Sequence, residues 1–165
     1  MSAPTIKTER LILRNIEESD ALQLKYLLCP EIEKTSGPYM PHSEDQLLAH
    51  VKRIKGDTSW GITLYDGTFI GDIGVFSKKE NKGEIAWYVD PKYWRNGYAY
   101  EAGIAVIKYC FDELCMEMIT AEIEASNTAS RMLAQKLGFQ LDNVLNESDF
   151  YGKTTDVAYY SIKNI

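Results

Sequence analysis

Apolar positions change their period several times along the chain, and each change marks an element. Residues 10–16 (RLILRNI) form a short apolar run bounded by charge, which predicts a strand. Glu17, Glu18, Ser19 and Asp20 then offer the carboxylates and hydroxyl of a helix start, ahead of apolar Leu22, Leu24, Tyr26, Leu27 and Leu28; Pro30 should end that helix. Residues 35–41 (TSGPYMP) read as turn-rich. Ser43 with Gln46 three residues on has the form of a capping box for a helix from 44 to about 55, with Leu47, Leu48, Val51 and Ile54 as its apolar stripe and Gly56 at its stop.

From Ser59 the period drops to two. The run WGITLY, the pair Asp66-Gly67 and the run TFIGDIGVF together predict a β-hairpin. Asn81-Lys82-Gly83 is a second turn and EIAWYV a third strand, so three antiparallel strands should lie side by side. A helix buried on much of its circumference follows over 102–114, then a strand at 118–125 (MITAEIEA). Asn127 stands near the cap of a further helix carrying Ala129, Leu133 and Leu137, closed by Gly138. Strand-like segments at about 139–147 and 154–163 flank the turn YGK. No repeat or linker interrupts this order, which is that of one α+β domain with a mixed sheet spanning 1–165.

Composition narrows the function classes. The sequence has 165 residues, 45% apolar and 25% charged, so it is neither disordered nor fibrous. A net charge of −6 argues against a protein that grips nucleic acid phosphates directly and favours a cationic partner such as an amine. Cys29, Cys110 and Cys115 are odd in number and form no C-x-x-C pair; with only His42 and His50 beside them they predict no metal site, but apolar filler in a reducing cytoplasm. No apolar run approaches a membrane span.

The candidate chemistry lies where the strand EIAWYV hands over to a helix through Arg95-Asn96-Gly97-Tyr98-Ala99. Glycine and small residues at a helix start let backbone N–H groups face an anion such as a pyrophosphate; a tight turn that merely needs a glycine reads the same way locally. It is neither a Walker loop nor a dinucleotide fingerprint, since both glycine patterns are absent.

At this point the run EIAWYVDPKYWRNGYAYEA resembles the acetyl-CoA-binding motif of the GNAT superfamily of N-acetyltransferases, whose loop is written Q/R-x-x-G-x-G/A. NTASRMLAQKLGF resembles the motif that follows it, in the form found in the RimJ/RimL-like branch of ribosomal-protein N-terminal acetyltransferases. The opening TERLILRNIEESDA and closing GKTTDVAYYSI are similar to that branch too, so the likeness covers nearly the whole chain and is weakest between about 30 and 57. Trp94 stands in place of the motif's Gln or Arg and Ala99 in place of its final glycine, both as in that branch. The resemblance implies a GNAT fold, a mostly antiparallel mixed sheet that splays between EIAWYV and MITAEIEA, with acetyl-CoA as cosubstrate and no metal. By position, Trp87, Tyr88 and Val89 would offer backbone groups to pantetheine and the thioester. Arg95, Asn96, Gly97, Tyr98, Ala99 and Tyr100 would hold the pyrophosphate, and Asn127 would contact the cofactor.

Amine acetylation needs a proton acceptor, an oxyanion donor and a proton for the leaving thiolate. Glu84, at the start of the strand beside the cofactor, is the candidate base; a solvated strand-end carboxylate is the alternative. Alternation puts Glu84, Ala86 and Tyr88 on one face and Ile85, Trp87 and Val89 on the other. Asp72, Glu122 and Glu124 are reserve acids. A backbone N–H near Tyr88 or Val89 would serve the oxyanion, and Ser130, one helical turn past Asn127, would protonate the thiolate. The tyrosine that many superfamily members carry as general acid is Ala134 here, so it is ruled out at that site. Tyr39, Met40 and Trp60 are candidate linings of the acceptor pocket. The expectation is direct acetyl transfer to a primary amine, a protein N-terminus such as that of a ribosomal protein. The alternatives are a polyamine or antibiotic acceptor and a non-catalytic acyl-CoA-binding module. Acceptor choice would fall to residues 17–57 or to the second subunit of a homodimer.

Overall fold

The computed structural model describes residues 2–35, 40–77, 79–148 and 151–165. Among the described residues eight strands and their connecting helices follow in the order β1 (Ile6–Lys7), β2 (Leu11–Asn15), a 3₁₀ segment (Glu18–Leu28), α1 (Pro30–Glu33), α2 (Leu47–Ile54), β3 (Ser59–Leu64), β4 (Phe69–Ser77), β5 (Lys82–Val89), α3 (Tyr98–Asp112), β6 (Met118–Glu124), α4 (Thr128–Lys136), β7 (Gln140–Ser148) and β8 (Thr154–Lys163). The strand order is β1-β2-β3-β4-β5-β6-β8-β7. Only β5 and β6 run parallel among the registered pairs, and their pairing covers Lys82–Glu84 against Met118–Thr120. Among the described residues no helix is long and apolar enough to cross a membrane.

The chain divides into two compact units, Met1–Gly74 with Ala86–Ala105, and Val75–Ile85 with Val106–Ile165. The first has a core of Ile16, Leu24, Leu27, Leu47 and Val51 with Tyr26 and Phe69, against which Tyr88 and Met40 pack. In the second, Val106, Cys110, Ile119, Ala134, Ala158 and Tyr160 are buried.

The hairpin forms as expected. Gly67 takes φ +88°, and the Leu64 N–H donates to Thr68 O while the Gly67 N–H donates to Leu64 O. The next turn falls earlier than the sequence suggests: Glu80 and Asn81 adopt the left-handed conformation, and Lys82 and Gly83 already belong to β5. A two-residue strand, β1, precedes the first expected one and pairs with β2.

Three expectations for the helical region change. Residues 18–28 form a 3₁₀ run rather than an α-helix, with Ala21, Leu24 and Leu27 buried at three-residue spacing, the repeat that 3₁₀ geometry stacks on one face. Pro30 opens the next helix as its first residue instead of only ending the previous one. In the second helix the Ser43 side chain makes no cap; the Gln46 amide oxygen instead accepts from the His42 N–H at 2.8 Å.

Candidate functional site

Past the end of β5 the chain is braced by its own side chains. Asp90 accepts from the Lys92 N–H at 3.0 Å, the Trp94 indole donates to Val89 O at 2.7 Å, and the Asn96 amide donates to Tyr93 O and Trp94 O at 3.1 and 2.9 Å. Arg95 and Gly97 both take left-handed φ, 62° and 77°. These bonds turn the backbone sharply into α3, whose first N–H groups have no intrahelical acceptor. A Cβ built on Gly97 would meet only the Arg10 Nη2, at 3.4 Å, so the approach to its backbone is open. Arg95, Gly97, Tyr98, Ala99 and Tyr100 are thus arranged along one anion-competent turn. Asn96 serves it from within, as a brace.

Backbone directions in β5 follow from its contact with β4. The Asp90 N–H donates to Ile70 O at 2.8 Å, and a Cβ on Gly71 would lie 2.4 Å from Tyr88 O. The Tyr88 carbonyl therefore points at β4, and by the alternation along a strand Trp87 and Val89 direct their backbone groups the other way. The Val89 carbonyl receives the Trp94 indole.

In the second unit Asn127 is the N-cap of α4, its Oδ1 accepting the Ser130 N–H at 3.1 Å. Arg131 locks the same turn, donating to Ala125 O and to the Tyr160 hydroxyl, both at 3.0 Å. Glu84 pairs with Thr120 across the parallel strands, and Glu122 with Tyr159 across β6 and β8. The Tyr159 hydroxyl donates to Glu147; that bond, partial burial and the Glu122, Glu147 and Glu84 carboxylates all push its pKa up. Glu84 and Glu122 thus share one electrostatic neighbourhood centred on Tyr159, a residue sequence reasoning missed. Its signal is the alternation of β8, which puts Tyr159 and Ser161 opposite buried Ala158 and Tyr160.

The first unit holds a buried polar cluster. Asp72 accepts a hydrogen bond from the Tyr26 hydroxyl, and burial lifts its carboxyl to about 7 although that bond pulls the other way. Burial and the Asp72 carboxylate raise Tyr88 to about 12, against the Arg53 guanidinium. Arg53 also lies 2.7 Å from His50 Nδ1, and burial together with that cation lowers His50 to about 4. His50 Nε2 is buried and has no hydrogen-bond partner among the described residues.

Other candidates fall outside any reactive arrangement. Burial raises the Cys110 thiol to about 12 and raises Cys29 as well, which suits filler rather than a nucleophile. Cys115 is exposed. Ala134 is wholly buried. His42 is a surface residue 3.7 Å from Glu33. Trp60 is fully buried, its indole donating to Pro4 O at 2.7 Å, so it lines no acceptor pocket; Met40 packs on the core, and Tyr39 lies outside the described residues.

A family model described as an acetyltransferase (GNAT) domain matches residues 10–140. The chain belongs to the GNAT acetyltransferase family. It is 32% identical over 170 residues to the uncharacterized N-acetyltransferase YoaA of Bacillus subtilis (strain 168), the match covering 96% of each chain. It is 24% identical to a putative ribosomal N-acetyltransferase, YdaF, of the same organism, over 93% of this chain and 91% of the relative. A crystal structure of a GNAT-family acetyltransferase from Bacillus anthracis superposes with a TM-score of 0.87 at 27% identity, covering 97% of this chain and 98% of that one. The α+β fold expected for GNAT is therefore the fold observed, and the protein is an acetyl-CoA-dependent N-acetyltransferase.

Proposed function

We propose that this enzyme acetylates a protein N-terminal amine, such as that of a ribosomal protein, by direct attack in a ternary complex, as RimJ/RimL-like enzymes would. The observation that carries a cationic acceptor is the strand register, which sets Glu84 beside Thr120 and Glu122 opposite Tyr159, whose hydroxyl donates to Glu147; these neighbouring carboxylates attract an ammonium group. Similarity to YdaF, described as a putative ribosomal N-acetyltransferase, favours a protein acceptor over a polyamine or antibiotic. The family match, which runs through both units, supports one acetyltransferase domain. Three free cysteines support a reducing cytoplasmic setting.

Acetyl-CoA supplies an activated acetyl thioester. The turn from Arg95 to Tyr100 binds its pyrophosphate through backbone N–H groups, and Trp87 and Val89 offer backbone groups directed away from β4 to the pantetheine. The Val89 N–H donates to the developing oxyanion. Glu84 accepts the proton of the incoming amine, and Ser130 gives its hydroxyl proton to the departing thiolate and recovers one from water. Asn127 holds Ser130 by capping its turn and contacts the cofactor.

The test is thiol release from acetyl-CoA with a panel of free N-terminal peptides, polyamines and aminoglycosides, the product mapped by mass spectrometry. Acetylation of peptide α-amines is expected. Turnover of small amines alone would transfer the reading to a small-molecule enzyme, and CoA binding without any turnover would make the chain an acyl-CoA-binding module. Glu84→Gln and Ser130→Ala should lower kcat while CoA affinity holds; equal losses in both would remove them from the chemistry.

A further inference from the structure

The turn proposed to hold the pyrophosphate is tied to a segment far away in sequence. The Arg10 N–H donates to Glu101 Oε1 and its Nε to Glu101 Oε2, both at 2.7 Å, and its Nη1 donates to the carbonyl of Asn96 at 2.8 Å. The guanidinium also lies over the Tyr98 ring, 4.7 Å from its centroid. Thr8 adds a third donor to the Glu101 carboxylate, its hydroxyl 2.6 Å from Oε1. Burial pushes the Glu101 pKa up, but the Thr8 hydroxyl and the Arg10 amide and guanidinium outweigh it and hold the carboxyl below its usual range. These same bonds favour the charged carboxylate, the form that holds Arg10.

The latch has a geometric consequence for the turn. The Asn96–Gly97 peptide is trans, so its C=O and N–H point in opposite directions. Fixing the Asn96 carbonyl on Arg10 turns the Gly97 N–H to the opposite side and restrains the left-handed φ of Gly97, which that peptide plane adjoins. Glu101, in the first turn of α3, would on its own repel a phosphate; Arg10 offsets that charge and brings its Nη2 close to Gly97.

We infer that Arg10 and Glu101 are positioning residues that hold the Arg95–Tyr98 turn in its anion-binding conformation. The inference rests on the reading of that turn as the pyrophosphate site. A lysine at position 10 keeps the charge but not the planar fork that reaches Glu101 and Asn96 together.

The experiment compares wild type with Arg10→Lys and Glu101→Gln in the full chain, by calorimetric CoA binding, steady-state kinetics and amide hydrogen exchange without ligand. The expected result is a CoA Kd raised about tenfold in each variant, the loss of one charge-assisted contact. Turnover at saturating acetyl-CoA should stay within about twofold. Exchange should quicken at residues 95–99 while β8 keeps its wild-type protection. Unchanged CoA affinity in either folded variant, or exchange that rises evenly along the chain, would overturn the inference. If Arg10→Lys fails to fold, Glu101→Gln carries the test. If wild type itself does not bind CoA, the pyrophosphate reading falls, and the exchange at 95–99 still decides whether the latch orders the turn.

Discussion

Asp72 and His50 should oppose each other in setting how stability depends on pH. Asp72 is 7% exposed and its carboxyl rises from 3.8 to about 7 on folding, so between those values the folded chain holds a proton that the unfolded chain has released. Stability from this group is present below about pH 4 and is lost as pH rises to 7, by at most about 4 kcal/mol. His50 is 5% exposed and falls from 6.5 to about 4, so below pH 6.5 the unfolded chain takes up a proton that the folded chain refuses. That loss runs the other way, by about 2 to 3 kcal/mol as pH falls from 6.5 to 4. The two slopes nearly cancel in wild type. Asp72→Asn keeps an acceptor for the Tyr26 hydroxyl but cannot ionise. It should expose the His50 slope and gain stability from pH 4.5 to 6.5, and at pH 7.5 it should be more stable than wild type. His50→Gln should do the opposite and lose stability over the same range. Urea unfolding at pH 4.5, 5.5, 6.5 and 7.5 reads both; points below 4.5 are avoided because Asp20 and Glu101, whose carboxyls are held low by their hydrogen bonds, lose their own contribution there. Parallel pH curves for wild type and both variants would refute the reasoning.

Three further outcomes are expected. Gly71→Ala would put a Cβ 2.4 Å from Tyr88 O and 3.0 Å from Val89 Cα, backbone atoms that cannot step aside, and should destabilise the chain by about 2 kcal/mol in urea unfolding; wild-type stability would mean that β4 and β5 do not approach as described. Gly97→Val forces a branched side chain into φ +77° at the mouth of the turn, costing about 1–2 kcal/mol of stability, and should raise the CoA Kd at least tenfold in a chain that still folds. Asn127→Ala removes the cap on α4 and should cost about 1 kcal/mol; if its CoA affinity also falls more than the lost stability explains, Asn127 touches the cofactor as well as the helix.

Much of the fold is legible because it is local. The Asp66-Gly67 hairpin, the strand at 154–163 and the helix cap at Asn127 are each written in a few adjacent residues, and each forms where its turn chemistry or period predicts. The 3₁₀ run at 18–28 was legible in principle: Ala21, Leu24 and Leu27 repeat every three residues, while Leu22, which an α-helical stripe would bury, is 62% exposed. What adjacent residues cannot show is pairing at long range. An aspartate inside the apolar run FIGDIGVF signals a buried carboxylate, yet nothing near Asp72 names Tyr26 as its partner. Nothing near Gly97 names Arg10 either.

The same distinction bears on how far a motif can be trusted as a site. The spacing of N-x-x-S in NTASRMLAQKLGF is accounted for by mechanics alone, since an N-cap side chain meets the N–H three residues on, and Asn127 does this with Ser130. In W-R-N-G-Y the tryptophan and asparagine are likewise braces, on Val89 O, Tyr93 O and Trp94 O. In both motifs, residues that resemble ligand contacts build the backbone that would make them. Binding in such a site resides in N–H groups that every residue but proline possesses, and the identity of the side chains decides where those groups point. A substitution at a brace should therefore weaken the cofactor as strongly as one at a contact. Only the order of the free turn, measured with no cofactor present, separates the two roles.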